Sequence, residues 1–170
     1  MGLAGLIEQA RVAKVDLQQM ARTTTGTGIT SMQLETACRD GLLIPYRKQE
    51  PEAFKSALEL LQTDQGGLVF APIIGYHEQV GELDFSSMYP SIMVRFNISP
   101  ETVNCLCCRH EPTARVPEIS HHTCLHHKGL VPRTLAPLLD KRAKYKRLMA
   151  VATQSAARAV LDQRQTALKW

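Results

Sequence analysis

The sequence predicts an α+β fold, with short antiparallel strands and packing helices, and three features predict it. Helical periodicity runs through most of the first 62 residues. Two short β-type runs fill the stretch from 66 to 85, and residues 143–170 contain neither glycine nor proline. At 170 residues and 44% hydrophobic composition, the chain has the length of about one domain and enough apolar material to bury a core. Twenty Lys and Arg against 16 Asp and Glu leave a net charge of +4, which permits an anionic partner without requiring one. No apolar run reaches the roughly 18 residues of a membrane span, and the opening MGLAGLIEQARVAK is too short in apolar residues for a signal peptide. A soluble, cytoplasmic protein with no membrane partner is expected.

The first element, residues 4–21, reads as a helix in two pieces. Asp16 starts the second piece, its carboxylate accepting the exposed N–H of Gln19 while Gln19 reaches back, as in a capping box. The polar run TTTGTG, 23–28, reads as a turn. It lacks the Gly-Lys-Ser/Thr and the preceding strand that a phosphate-cradling loop needs. Thr30 is expected to cap a helix that runs to Arg39 and stops at Gly41, since glycine accepts the left-handed terminator. In 51–62, Pro51, Phe54, Leu58 and Leu61 mark an amphipathic helix with proline in the first turn.

The β-type runs GGLVFAPIIGY and EQVGELDF read as two antiparallel strands split by glycine and proline. Asp84 lies near the end of the second, between Leu83 and Phe85, where an ionised carboxylate is costly to bury without a partner. It is either a catalytic group at a strand end or a cap of the turn that follows. That turn, Ser86, Ser87 and Met88, leads into a helix with Pro90 as its first residue, carrying Ile92, Met93 and Phe96.

Downstream, DKRAKYKR at 140–147 puts Arg142 and Lys146 four residues apart, on one helical face, able to converge on a polyphosphate. Seen alone, the run also suits a solvated charged face. Leu135, Leu138, Leu139 and Leu148 form its apolar side. The absence of glycine and proline from 143 to 170 permits one long helix. Between these parts, CLCCRH at 105–110 and HHTCLHH at 121–127 crowd four cysteines and five histidines together. Zinc with thiolate and imidazole ligands fits such a density, with Cys105, Cys108, Cys124 and either His121 or His127 closing a site. Free thiols in a polar loop are the alternative.

LDFSSMYPSIM, at 83–93, resembles the first palm motif of family B DNA polymerases, Asp-Phe-x-Ser-Leu-Tyr-Pro-Ser-Ile. It matches at Asp84, Phe85, Ser87, Tyr89, Pro90, Ser91 and Ile92, with Met88 in the leucine place. NISPETV at 97–103 resembles the segment that follows that motif, QGGLVF at 65–70 the double-glycine element upstream, and RTTTGTG the stretch entering the palm. GLVPRTLAPLLDKRAKYKRLM resembles the first fingers helix, and DQRQTALK the opening of the second.

The resemblance implies a division into a helical palm-entry segment (1–65), a palm segment with the first motif (66–104), a Cys/His-rich connector (105–130) and an antiparallel pair of fingers helices (131–170) turning near Val151 to Ser155. It implies two Mg²⁺ ions in the complete enzyme, which stabilise the attacking and leaving oxygens as a primer 3′-oxygen displaces pyrophosphate from a deoxynucleotide. Asp84 and the Phe85 carbonyl would be metal ligands. The amides from Ser86 to Met88, together with Arg142, Lys146 and Lys169, would hold the triphosphate. Tyr89 would lie under the incoming sugar and exclude a 2′-hydroxyl. Gly66 and Gly67 would contact DNA. Some thermophilic members are disulfide-bridged in the connector, which would link Cys107 or Cys108 to Cys124. The implied partners are primer-template DNA, an incoming dNTP and the remainder of a polymerase chain, in a nucleoid-associated setting.

The family's later Asp-Thr-Asp motif does not occur in these residues, and the sequence ends inside the second fingers motif. A fragment without polymerase activity of its own is therefore expected. A small zinc- or nucleic-acid-binding module with a vestigial palm motif is the second reading.

Overall fold

The computed structural model describes residues 2–44, 56–63, 69–117 and 119–169. It divides into one unit of Met1–Ile44 with Phe85–Trp170 and a second of Pro45–Asp84. The larger unit is helical. Helices α1 (Leu3–Ala13), α2 (Leu17–Arg22), α3 (Thr25–Arg39), α5 (Met88–Arg95), α6 (Leu130–Val151) and α7 (Ser155–Ala167) belong to it, and α4 (Ala57–Thr63) to the smaller one.

Local signals place several helix ends. Lys14, left-handed at φ 57°, closes α1. The Asp16 side chain accepts the Gln19 N–H at 2.9 Å and starts α2. At the far end of α3, Gly41 is left-handed at φ 67°. Its N–H donates to the Cys38 carbonyl, and the Leu42 N–H donates to that of Ala37, the paired bonds of a Schellman ending.

The expected turn at 23–28 is helix instead. α3 begins at Thr25, and Thr30 sits inside it, its hydroxyl bonded back to the Gly26 carbonyl. Buried Gly28 and Met32 lie on one side of this helix, so packing overrides the weak helix propensity of the Thr-Gly run. Helix α5 likewise starts at Met88, before Pro90, which still falls in the first turn where its missing N–H is tolerated.

The core of the larger unit gathers Ala10, Ala13, Met20, Met32, Leu135, Leu138, Tyr145 and Leu168. It is bounded by α1, α3, α6 and α7, with α5 packed on α6. Each fully buried leucine contributes about 1.5–3 kcal/mol. Against this core Glu8 is only 1% exposed. Lys141 Nζ lies 2.6 Å from its Oε1, and Arg11 and Arg164 lie 3.8 and 4.0 Å from its Oε2. Burial pushes the Glu8 carboxyl up, but Lys141, Tyr145 and Arg11 outweigh it and hold it below the ordinary value. The guanidinium of Arg164 also stacks 6.0 Å from the Tyr145 ring. One buried carboxylate thus ties α1 to α6 and α7.

α6 and α7 are two helices joined by Ala152–Gln154, rather than the single long helix that periodicity permits. Leu148, expected on the apolar side of α6, is partly exposed.

In the smaller unit, Ser56 and Glu59 form a reciprocal capping box at the start of α4. Pro51 and Phe54 lie outside the described residues, as do Gly66 and Gly67. Leu58 and Leu61 are exposed. Neither expected strand forms among the described residues 69–85, and the pairing found among the described residues is the isolated bridges Val103 with Thr123 and Arg115 with His122. Phe70, Ile74 and Tyr76 stand exposed. A two-stranded ribbon without further strands or a covering helix is marginal in water, which accounts for the loss.

Candidate functional site

The turn from Phe85 to Ser87 sets the site. Ser87 is left-handed at φ 50° and precedes α5 without capping it. Its carbonyl takes the Ser91 N–H at 2.9 Å, and the Ser91 hydroxyl donates to the Ser86 carbonyl at 3.0 Å. The Ser87 hydroxyl, the natural cap, instead accepts a bond from Arg142 Nη1. The first turn of α5 is therefore left without a side-chain cap, and open N–H groups at a helix start are able to donate to an anion.

Arg142 and Lys146 stand on one face of α6, as their spacing predicts. Together with Ser86, Ser87, Ser91, Leu139, Asp140 and Ala143 they line a cleft of ≈ 280 Å³. Arg142 is 8% exposed, and its Nε has no partner among the described residues. Lys141, in the same charged run, turns to Glu8 instead. The run is thus not a uniform solvated face. Helical phase turns Lys141 toward Glu8 and Arg142 and Lys146 toward the cleft.

Other expected site residues stand apart from this arrangement. Lys169 follows α7 and does not line the cleft. Asp84 is exposed, and Leu83 is 100% and Phe85 79% exposed. No oily flank buries the carboxylate, so desolvation does not explain its presence. Asp84 ends the smaller unit, and Phe85 begins the second segment of the larger. Asp84 is thus a hard oxygen donor open to solvent, the ligand type that Mg²⁺ takes. Tyr89 is 68% exposed on α5. Phe85, Met88, Ile92 and Phe96 line an adjoining apolar cleft of ≈ 420 Å³.

The stretch joining α5 to α6 is tied by side chains whose roles the sequence did not reveal. Asn97, left-handed at φ 55°, donates through Nδ2 to the carbonyls of Cys124 and His127, each at 2.7 Å, and its Oδ1 accepts the Gly129 N–H at 2.8 Å. A Glu101 carboxylate oxygen accepts from Leu130 N–H, and Ser99 Oγ from Val131 N–H at 3.2 Å. Three N–H groups at the start of α6, which have no partner within the helix, are thereby satisfied. Burial raises the Glu101 carboxyl, but the Leu130 N–H and the Ser99 hydroxyl more than offset it and hold it below its ordinary value. The only signal for these roles was the run NISPETV, whose polar residues are cap formers.

In the same connector, the sulfurs of Cys105, Cys107, Cys108 and Cys124 all lie within 4.8 Å of one another. The fourth member is Cys107, not a histidine. His121 Nδ1 accepts from Asn104 Nδ2 at 2.8 Å, and neither it nor His127 belongs to the group. All five cysteines are free, so no disulfide joins Cys107 or Cys108 to Cys124.

Residues 15–170 match the model of the family described as DNA polymerase family B. The chain is 34% identical over 160 residues to a DNA polymerase of Pyrococcus glycovorans, covering 94% of this chain and 20% of that protein. It is 31% identical over 144 residues to DNA polymerase 2 of Saccharolobus solfataricus, covering 85% of this chain and 22% of the relative. The structure of the family B DNA polymerase from the hyperthermophilic archaeon Pyrobaculum calidifontis superposes with a TM-score of 0.66 at 31% identity, over 98% of this chain and 21% of the other. The chain thus spans about a fifth of the length of these relatives. No helix among the described residues is long and apolar enough to cross a membrane.

Proposed function

This chain belongs to DNA polymerase family B, an enzyme family, and from that premise we propose that it supplies the nucleotide-holding part of a template-directed DNA polymerase. The observation that carries the reading is the cleft shared by the Ser86–Ser87 turn and the Arg142–Lys146 face of α6. Uncapped amides and two convergent cations are what a triphosphate requires, because each charge-assisted bond to phosphate is stronger than its neutral counterpart.

In this reading the α6–α7 pair forms the fingers and the Phe85–Arg95 stretch the palm edge beneath the nucleotide. Arg142 orients the phosphates, with Ser87 fixing its guanidinium, and Lys146 adds a mobile point charge. Lys169 joins them on closure of the fingers. Tyr89 excludes a ribose 2′-hydroxyl. Asp84 and the Phe85 carbonyl would hold Mg²⁺, which neutralises charge developing on the phosphoryl oxygens. Primer-template DNA and dNTP are the substrates, with Gly66 and Gly67 against the DNA. A second metal-binding carboxylate, carried in the family by a motif outside these residues, completes the reaction, so the 170-residue chain alone adds no nucleotide. The competing reading, a stand-alone zinc- or nucleic-acid-binding module, draws support from the cysteine group alone.

The test is primer extension by a polymerase of the relatives' length that carries this segment. Asp84→Ala is expected to lower single-turnover nucleotide addition by several orders of magnitude while leaving the melting temperature unchanged. Near-normal turnover would remove Asp84 from the metal site.

A further inference from the structure

We propose that Cys105, Cys107, Cys108 and Cys124 bind one zinc ion as a tetrahedral four-thiolate centre, and that this ion clips the connector that caps α6.

Distance carries the choice of metal. With a Zn–S bond of about 2.3 Å, the edge of a sulfur tetrahedron is about 3.8 Å. The sulfur separations are 3.5 Å for Cys107 to Cys105, 3.8 Å for Cys107 to Cys108, 3.6 Å for Cys107 to Cys124 and 4.0 Å for Cys108 to Cys124. Four of the six separations thus match the spacing around a single small ion, and the remaining two, from Cys105 to Cys108 and to Cys124, lie within 4.8 Å. A four-iron cluster would hold its thiolates farther apart, since each sits beyond its own iron. Disulfides need sulfurs about 2.05 Å apart, which none of these pairs approaches.

The surroundings suit thiolates. The Leu125 N–H donates to Cys108 Sγ at 3.4 Å, and the His127 N–H to Cys124 Sγ at 3.3 Å, so two sulfurs have backbone donors oriented at them, as an outer ring of ligand-tuning bonds requires. Cys108 and Cys124 are buried with Ala114, and Cys105 packs against them. This small cluster has too little apolar area to order a polar connector by itself, so a metal cross-link supplies what the core lacks. Loss of the thiol protons on binding leaves a doubly negative centre in a connector that also carries the cations Arg109, Arg115 and Lys128.

The consequence runs through Asn97. Its amide bonds the carbonyls of Cys124 and His127 and accepts the Gly129 N–H. Fixing Cys124 therefore fixes the residue that caps α6, the helix bearing Arg142 and Lys146.

The test uses the whole chain purified without added metal, with zinc measured by elemental analysis and its retention followed against a competing chelator. One zinc per chain is expected, and Co²⁺ in its place should give the absorption of a tetrahedral four-thiolate site. Cys107→Ser, at the exposed corner where folding is least disturbed, should weaken retention by more than about tenfold, while His121→Ala should leave it unchanged. Chelation should speed amide exchange at Gly129, Leu130 and Val131. Iron with acid-labile sulfide, a disulfide by mass in the absence of zinc, or undiminished zinc in Cys107→Ser would overturn the site. Unchanged exchange at those three amides on zinc removal would overturn the clip.

Discussion

The segment from Asn97 through the connector to Gly129 and the stretch at 69–84 both lack long helices and strands among the described residues, yet they solve their polar and apolar groups in opposite ways. The connector is tied by short side-chain bonds from Asn97, Ser99 and Glu101 to the start of α6, with its sulfurs drawn together. The stretch at 69–84 carries Val69, Phe70, Ile73, Ile74, Tyr76, Val80 and Leu83, far more apolar surface, and all of it is exposed. Apolar content does not order a segment; a partner does. The side chains of Asn97, Ser99 and Glu101 become fixed because they meet backbone donors and acceptors 27–32 residues away, whereas strand-forming residues need a neighbouring strand.

Substitutions can break this contrast at either end. The largest stability effect is expected at the buried anchor beneath α6. Glu8→Gln should cost about 2–3 kcal/mol, below the full cost of a stranded buried charge because Lys141 is partly open to water. Urea unfolding measures it, and a loss under about 0.5 kcal/mol would mean that the charge cluster is inert.

The same carboxylate and Glu101 set an acid limit. Both are held below the ordinary glutamate value of 4.5, so the stability they contribute is complete above that value and is lost as pH falls through their lower folded values. Melting temperature should therefore fall on acidification below pH 4.5, and Glu8→Gln should flatten the slope.

At the connector, a methyl group on Gly129 would lie 2.4 Å from Ser99 Cβ and 3.0 Å from Thr102 Cγ2. Gly129→Ala should cost about 1–3 kcal/mol by overpacking, readable in the same unfolding experiment. The smallest effect belongs to the exposed stretch: Ile74→Ser, at a side chain 97% exposed, should change stability by less than about 0.5 kcal/mol. A larger loss there would show that the segment is packed and erase the contrast.

What the sequence revealed follows the same division. Asp16 with Gln19 and the left-handed stop at Gly41 were legible because caps involve residues a few positions apart. The cationic face of Arg142 and Lys146 was legible because helical phase alone aligns them. The start of α3 was misread because Gly28 and Met32 are held by packing that propensity does not contain. The makeup of the cysteine group differs from the expectation for a related reason: density of Cys and His suggested His121 or His127 beside Cys105, Cys108 and Cys124, but the His121 imidazole bonds Asn104 and the exposed Cys107 stands with the other three sulfurs. The ion pair of Glu8 with Lys141 joins opposite ends of the sequence and left no local trace.

The central claim is that the α5–α6 cleft holds a triphosphate, and dNTP affinity in the polymerase that carries this segment tests it most directly. Titration of the polymerase–primer-template complex should show Arg142→Ala weakening dNTP binding by about 10–100-fold, the worth of a charge-assisted bond. Lys144→Ala, on the same helix but outside the cleft, should bind as the parent does. Equal dNTP affinity in Arg142→Ala and the parent, with the fold intact, would contradict the account.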